Sequence, residues 1–236
     1  MMTALAMTPI VSLNAETPQQ EYRLIHVTTG TGFFITPNHI ITNKHVVPNC
    51  KTIWIRGAVQ PTEVTLVTTD SKKDLAILQS NIQSPKSAYL RANAGLKAGD
   101  SVTVIGYPLD HGLKGTYLVS NATIEKVSTT INGIDNIEFT DSVERGNSGG
   151  PLLDRAGNVV GVVVGKMRYY KSSNSAENRK PFKISSLAIG LPVLKEFLDE
   201  HHIFTSAQST YDIFDERHPE QRAEKYLVNV LCIENE

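Results

Sequence analysis

The 236-residue chain is poor in the features that would assign a chemistry at once. It has two cysteines, Cys50 and Cys232, and no Cys/His cluster at ligand spacing, so no metal site is indicated. His201 and His202 are adjacent, and neighbouring positions on a helix do not share a face. There is no glycine-rich phosphate loop and no dinucleotide fingerprint, so no cofactor is expected. Lys and Arg number 23 against 24 Asp and Glu, giving a formal charge of −1 with no basic stripe, which makes nucleic acid and anionic membrane poor partners. No apolar run is long enough to span a bilayer. Neither cysteine lies in a glycine elbow, which argues against a cysteine nucleophile. An oxidising compartment would allow them to pair; two free thiols are the expectation.

What remains is an ordinary globular composition, 40% hydrophobic and 20% charged, with enough apolar material for a sizeable core. The first fifteen residues, MMTALAMTPIVSLNA, are small and apolar and give way to the polar ETPQQ. They resemble the later part of an export signal without its positively charged head. Either translation starts upstream of Met1 or the segment is a plain apolar arm; export, to a periplasm or the exterior, is the expectation, with the cytoplasm as the alternative.

Short apolar runs with period-two alternation dominate the rest. Ile53 and Ile55 alternate in TIWIRG, Val64 and Leu66 in EVTLVTTD, and Val102 and Val104 in SVTVIGY. Val159 to Gly165, VVGVVVG, is a β-branched run suited to a strand covered on both faces. Turn signals in TPN, PNC and RAGN divide these runs, which predicts an all-β barrel or sandwich. One helix is expected near the end, with Pro192 in its first turn and Leu194, Phe197 and Leu198 on one face.

The most informative segment is GNSGGPLL, Gly146 to Leu153. A serine between glycines can attack a carbonyl while nearby backbone N–H groups hold the resulting oxyanion. Ser148 is the candidate nucleophile, and the amides of Gly146 and Ser148 are the candidate donors. A serine hydroxyl needs a base, and the imidazole of His45, in ITNKHVV, titrates in the useful range. Asp74, in KKDLAIL, would hold that imidazole in the required tautomer; Asp70, four residues earlier, is its competitor.

The order His45, Asp74, Ser148 matches the chymotrypsin-like arrangement. TGTGFFIT, TNKHVV, DLAIL, VIGYP and TDSVERGNSGGPLLD resemble, in order, the motifs of HtrA/Deg-type trypsin-like serine proteases, from about Tyr22 to His201. The resemblance implies two antiparallel six-stranded β-barrels side by side with a C-terminal helix. Residues 1–20 would be a signal remnant or arm, 21–94 the first barrel, 95–202 the second barrel and closing helix, and 203–236 an extension, with the barrel boundary near Ala94. About thirty residues are too few for the PDZ domain that such proteases often carry. The extension's apolar run YLVNVLCI is expected to pack as a strand or arm on the second barrel, with a protomer contact or a lid as the other readings.

The resemblance also places the base of the first specificity pocket at Ser142, followed by Val143, with the strand Val162, Val163, Val164 as the opposite wall and as a backbone partner for an extended substrate. Such a pocket suits an uncharged side chain of small or medium size. Asp141 would suit Lys or Arg only with a one-residue slip. Glu144 and Arg145 depart from the family pattern and add charge at the pocket mouth. The implied function is a serine endopeptidase acting on unfolded or extended polypeptide, possessing no cofactor, with a homo-oligomer left open. A catalytically weak binding or chaperone-like module on the same scaffold is the alternative, and an esterase would share every residue.

Overall fold

The computed structural model describes residues 27–92, 95–112, 114–140, 142–170, 181–208 and 219–234. Residues 1–20, Ala94 and Asp141, on which expectations were placed, lie outside the described residues. In chain order the elements are β1 (Val27–Phe34), β2 (His39–Thr42), β3 (Cys50–Gly57), β4 (Thr62–Asp70), β5 (Leu75–Ser80), β6 (Leu90–Arg91), β7 (Ser101–Gly106) and α1 (Leu109–Gly112). They continue as β8 (Leu118–Ile131), β9 (Ile134–Thr140), β10 (Pro151–Leu153), β11 (Val159–Tyr169), β12 (Lys183–Gly190), α2 (Leu191–Glu200), β13 (Ala207–Gln208), α3 (Pro219–Ala223) and β14 (Leu227–Glu234).

The chain builds two closed six-stranded antiparallel barrels. The first runs β1-β14-β3-β4-β5-β2. In the second, β7, β8, β9, β12, β11 and β10 form a ring closed by the β10–β11 pairing. Closure leaves neither sheet with a long unpaired edge. The alternation read from sequence holds at Ile53, Ile55, Val64, Val102 and Val104, all buried. Leu66 departs from it and is exposed, because a register shift between Leu66 and Thr68 breaks the alternation of β4 against β5. The β8–β9 hairpin turns through Asn132 (φ 53°) and Gly133 (φ 78°), the Asn-Gly pair that a two-residue turn with two positive φ angles favours. Helix α2 starts at Leu191, so Pro192 falls in the first turn, where its missing N–H costs nothing. Val193, Leu194, Phe197 and Leu198 are its buried residues.

The C-terminal segment differs from expectation. YLVNVLCI does form a strand, but in the first barrel. β14 lies between β1 and β3, pairing from Val27–Ile233 to Phe33–Leu227 on one side and from Gly57–Val228 to Cys50–Glu234 on the other. Leu227, Val228, Val230 and Cys232 are fully buried, and without them β1 and β3 would face each other across a missing strand. The first barrel therefore needs residues 227–234 as well as β1–β5, and β6, from within 21–94, pairs in parallel with β11 of the second sheet. The same insertion corrects the expectation of free thiols. Pairing of β14 with β3 brings Cys50 and Cys232 to a Cα separation of 5.3 Å, and they are joined as a disulfide.

Candidate active site

After β2 the chain makes a single 3-10 turn, Lys44–Val46, that presents His45. Asp74 caps this turn from the start of β5. Its backbone carbonyl accepts from Lys44 N (3.2 Å) and from Nδ2 of the fully buried Asn43 (2.9 Å). Its carboxylate accepts from His45 N at Oδ1 (3.0 Å), and Oδ2 lies 2.7 Å from His45 Nδ1. Asp74 adopts φ +54°, a left-handed conformation that short polar side chains tolerate better than most. One residue thus fixes both the turn and the ring orientation of His45.

Asp70, the competitor, has a different task. Its Oδ1 accepts the amides of Lys72 (2.7 Å) and Lys73 (2.8 Å) and so closes the turn into Asp74. Burial would raise its pKa, but those amides and the Lys73 charge outweigh burial and hold the carboxyl below its usual range. Lys73 is in turn bound by both oxygens of Glu200 (2.8 and 2.7 Å) at the end of α2. Burial opposes its charge, yet Glu200, Glu196 and Asp70 together raise its pKa. The helix after the second barrel thereby braces the loop that carries Asp74 in the first.

The Ser148 loop is held by hydrogen bonds from three directions. Thr31, fully buried in β1, donates its amide to Ser148 O (2.9 Å) and its hydroxyl to Gly146 O (2.7 Å). The same hydroxyl accepts from Tyr107 N (2.8 Å). Leu109 N donates to Arg145 O (2.7 Å). Gly149 N donates to Val163 O (2.8 Å), and Val163 N to Gly150 O (2.8 Å). Gly146 (φ +100°) and Gly149 (φ +85°) lie in backbone conformations that side chains resist, and a Cβ on either would strike neighbouring backbone. Gly149 packs against the Thr42 hydroxyl and the Asn43 amide, and Gly30 sits between the Val46 side chain and Ser148 O, so the two loops are in contact.

The amides of Gly146 and Ser148 have no protein acceptor among the described residues. C=O and N–H point in opposite directions across a trans peptide, so anchoring Arg145 O on Leu109 turns the Gly146 N–H the other way. The Ser148 hydroxyl donates to Val164 O at 2.8 Å.

The substrate-facing residues read from sequence divide into two groups. Val143 and Ser148 line a cleft of about 480 Å3 with Glu144, Arg145, Gly165, Lys166 and Arg168. The Ser142 hydroxyl is buried without a hydrogen-bond partner, and its amide receives Ser186 Oγ as acceptor (3.3 Å). Val162 and Val163 do not offer a free edge: Val162 pairs with Pro151, and both polar groups of Val163 are bonded to Gly149 and Gly150. Among the described residues, the unpaired edge of β11 begins at Val164 and continues through Gly165 and Lys166, because the antiparallel β10 begins only at Pro151, opposite Val162.

The trypsin-like peptidase domain family matches residues 30–162, more than half of the chain. The chain belongs to the trypsin-like peptidase family. It is 33% identical over 211 residues to "Uncharacterized protein y4bJ" of Sinorhizobium fredii, covering 86% of this chain and 32% of that protein. It is 36% identical over 149 residues to the "Probable periplasmic serine endoprotease DegP-like" of Bartonella henselae, covering 61% of this chain and 29% of that protein. The solved structure of the Rv3671c protease from Mycobacterium tuberculosis in its active form aligns with a TM-score of 0.57 and 27% identity, over 76% of each chain. The chain spans about a third of the length of the curated relatives it matches.

Within this peptidase fold, His45 and Asp74 come from the first barrel and Ser148 from the second. Thr31 was not singled out from sequence. Its signal was present: a polar residue at a core-facing position of β1, inside the TGTGFF motif. Among the described residues, no group of three His, Cys, Asp or Glu is placed to hold a metal ion.

Proposed function

We propose that this domain is a serine endopeptidase in which Ser148 attacks the substrate carbonyl, His45 is the general base and Asp74 orients it. The observation that carries the reading is the doubly held His45–Asp74 pair, with contacts of 2.7 and 3.0 Å, beside a serine loop in which the Gly146 and Ser148 amides are unused. With Nδ1–H donated to Asp74, Nε2 is the acceptor for the Ser148 proton. Rotation about χ1 takes the Ser148 hydroxyl from Val164 O toward the imidazole as substrate binds; such contacts often tighten only in the complex. The tetrahedral oxyanion then receives hydrogen bonds from the Gly146 and Ser148 amides. Collapse of that intermediate breaks the peptide C–N bond, and the imidazolium returns its proton to the leaving amine. Water, deprotonated by His45, hydrolyses the acyl-enzyme and restores Ser148.

An extended polypeptide is the fitting substrate, since the edge of β11 from Val164 offers backbone groups for strand addition. The Cys50–Cys232 disulfide and the DegP-like relatives named periplasmic support an exported location. No helix among the described residues is long and apolar enough to cross a membrane. A fluorophosphonate probe should label Ser148, and Ser148→Ala should abolish labelling; a properly folded wild type that stays unlabelled refutes the mechanism. The Ser148–Val164 hydrogen bond is the observation that favours the second reading, a protease-fold binding module. Under that reading, Ser148→Ala leaves the biological effect intact.

A further inference from the structure

We propose that the cleft beside Ser148 selects polypeptides with a carboxylate side chain at the residue whose carbonyl is attacked. This inference rests on the Ser148 site described above and names its substrate class. Ser142 and Val143 alone suggest an uncharged side chain, but the cleft has a wider lining. Arg145, Lys166 and Arg168 share it with Val143, Glu144, Gly165 and Ser148. Three cations against one carboxylate leave a net positive cleft at the nucleophile, in a chain whose formal charge is −1.

Placement strengthens the case. Lys166 and Arg168 are two residues apart on β11, so both side chains stand on one face of the strand. Arg145 lines the cleft from the Ser148 loop, directly before Gly146. Lys166 makes a further contact of its own, so the argument rests chiefly on the two arginines. Neither the Arg145 nor the Arg168 guanidinium has an ion-pair or hydrogen-bond partner among the described residues. The nearby acids of β8 and β9 are already engaged: Glu125 binds Ser185 and Lys183, and Glu138 binds Thr129, Tyr169 and Lys126. A guanidinium matches a carboxylate in a planar, bidentate geometry that a neutral side chain cannot use. Gly165 leaves the mouth open, since a Cβ there would meet no atom within 4 Å.

The test compares peptides identical except for Glu or Gln before the cut bond. Two readouts are taken: kcat/KM with wild type, and Kd by fluorescence anisotropy with Ser148→Ala. Glu should be preferred by about ten-fold, with the preference shrinking in high salt because the arginines are exposed. Arg168→Glu and Arg145→Glu should each remove or invert the preference, while Arg168→Lys should keep most of it. Equal or better use of Gln in both readouts overturns the inference, as does a Glu preference that survives both charge reversals. Fluorophosphonate labelling separates this from failure of the catalytic reading. An unlabelled protein whose Ser148→Ala form still binds Glu peptides more tightly leaves the carboxylate site standing and removes the peptidase mechanism.

Discussion

Thr31→Val tests how the two barrels set the Ser148 loop. The side chains are nearly the same shape, so the change removes the hydroxyl and little else. That hydroxyl donates to Gly146 O at 2.7 Å and accepts from Tyr107 N at 2.8 Å, within a residue that is fully buried. Valine leaves one acceptor and one donor unpaired, each costing about 1–3 kcal/mol. Partial relaxation brings the expected loss to about 3 kcal/mol, read as a fall of about 1–2 M in the urea midpoint. Gly146 O is also an anchor of the peptide plane beside a proposed oxyanion donor. Losing such a donor outright costs about 100-fold or more in kcat, so a loosened one should slow fluorophosphonate labelling by about ten-fold. Thr31→Ser keeps the hydroxyl and should recover most of the labelling rate, though not all of the stability. Thr31 N–H still binds Ser148 O in every variant, so the loop is weakened and not detached. A Thr31→Val protein with wild-type midpoint and wild-type labelling would refute the reasoning.

The other predictions concern the braces around the site. Asp70 has a folded pKa below its unfolded value, so it stabilises the fold above about pH 4, and that contribution is lost as pH falls toward the folded pKa. Asp70→Asn keeps an acceptor for the Lys72 and Lys73 amides but should flatten the fall in urea midpoint between pH 5 and 3, within roughly the range set by the ordinary carboxylate pKa. Lys73→Met should cost about 1–2 kcal/mol in urea melts, because Glu200 is half exposed and water compensates its lost partner. It should also slow labelling of Ser148, which Lys73→Arg should partly restore. The Cys50–Cys232 bond closes a loop with a sequence separation of 182, for which chain entropy predicts about 5 kcal/mol as an upper figure. Reduction should lower the urea midpoint, and equal midpoints with and without reductant would contradict the paired state. Deleting residues 227–236 should yield aggregated protein, since it uncovers the facing edges of β1 and β3.

The parts of this protein that were legible in its sequence are those whose information is local. Ser148 could be found because the glycines at 146, 149 and 150 are required within a few residues of it, by φ angles and by close backbone approach. The strands could be found because Ile53, Ile55, Val102 and Val104 alternate. Asp74 and Asp70 could be ranked by context, and the geometry separates them by which atoms they face: a ring nitrogen for one, two turn amides for the other. The readings that failed all depended on which strand lies beside which. A run such as LVNVLCI announces a strand but not its neighbours, and two barrels of equal size offer it equivalent homes. Once β14 enters between β1 and β3, Cys232 and Cys50 lie on neighbouring strands, opposite Ile53 and Glu234 on either side of a register shift, within bonding reach of each other. That Val162 and Val163 are already paired was hidden for the same reason: where β11 becomes free depends on where the antiparallel β10 begins, and GGPLL carries no mark of that. Thr31 shows the limit most sharply. Its amide and hydroxyl bind residues 76 to 117 positions away, so its importance exists only after both barrels have closed.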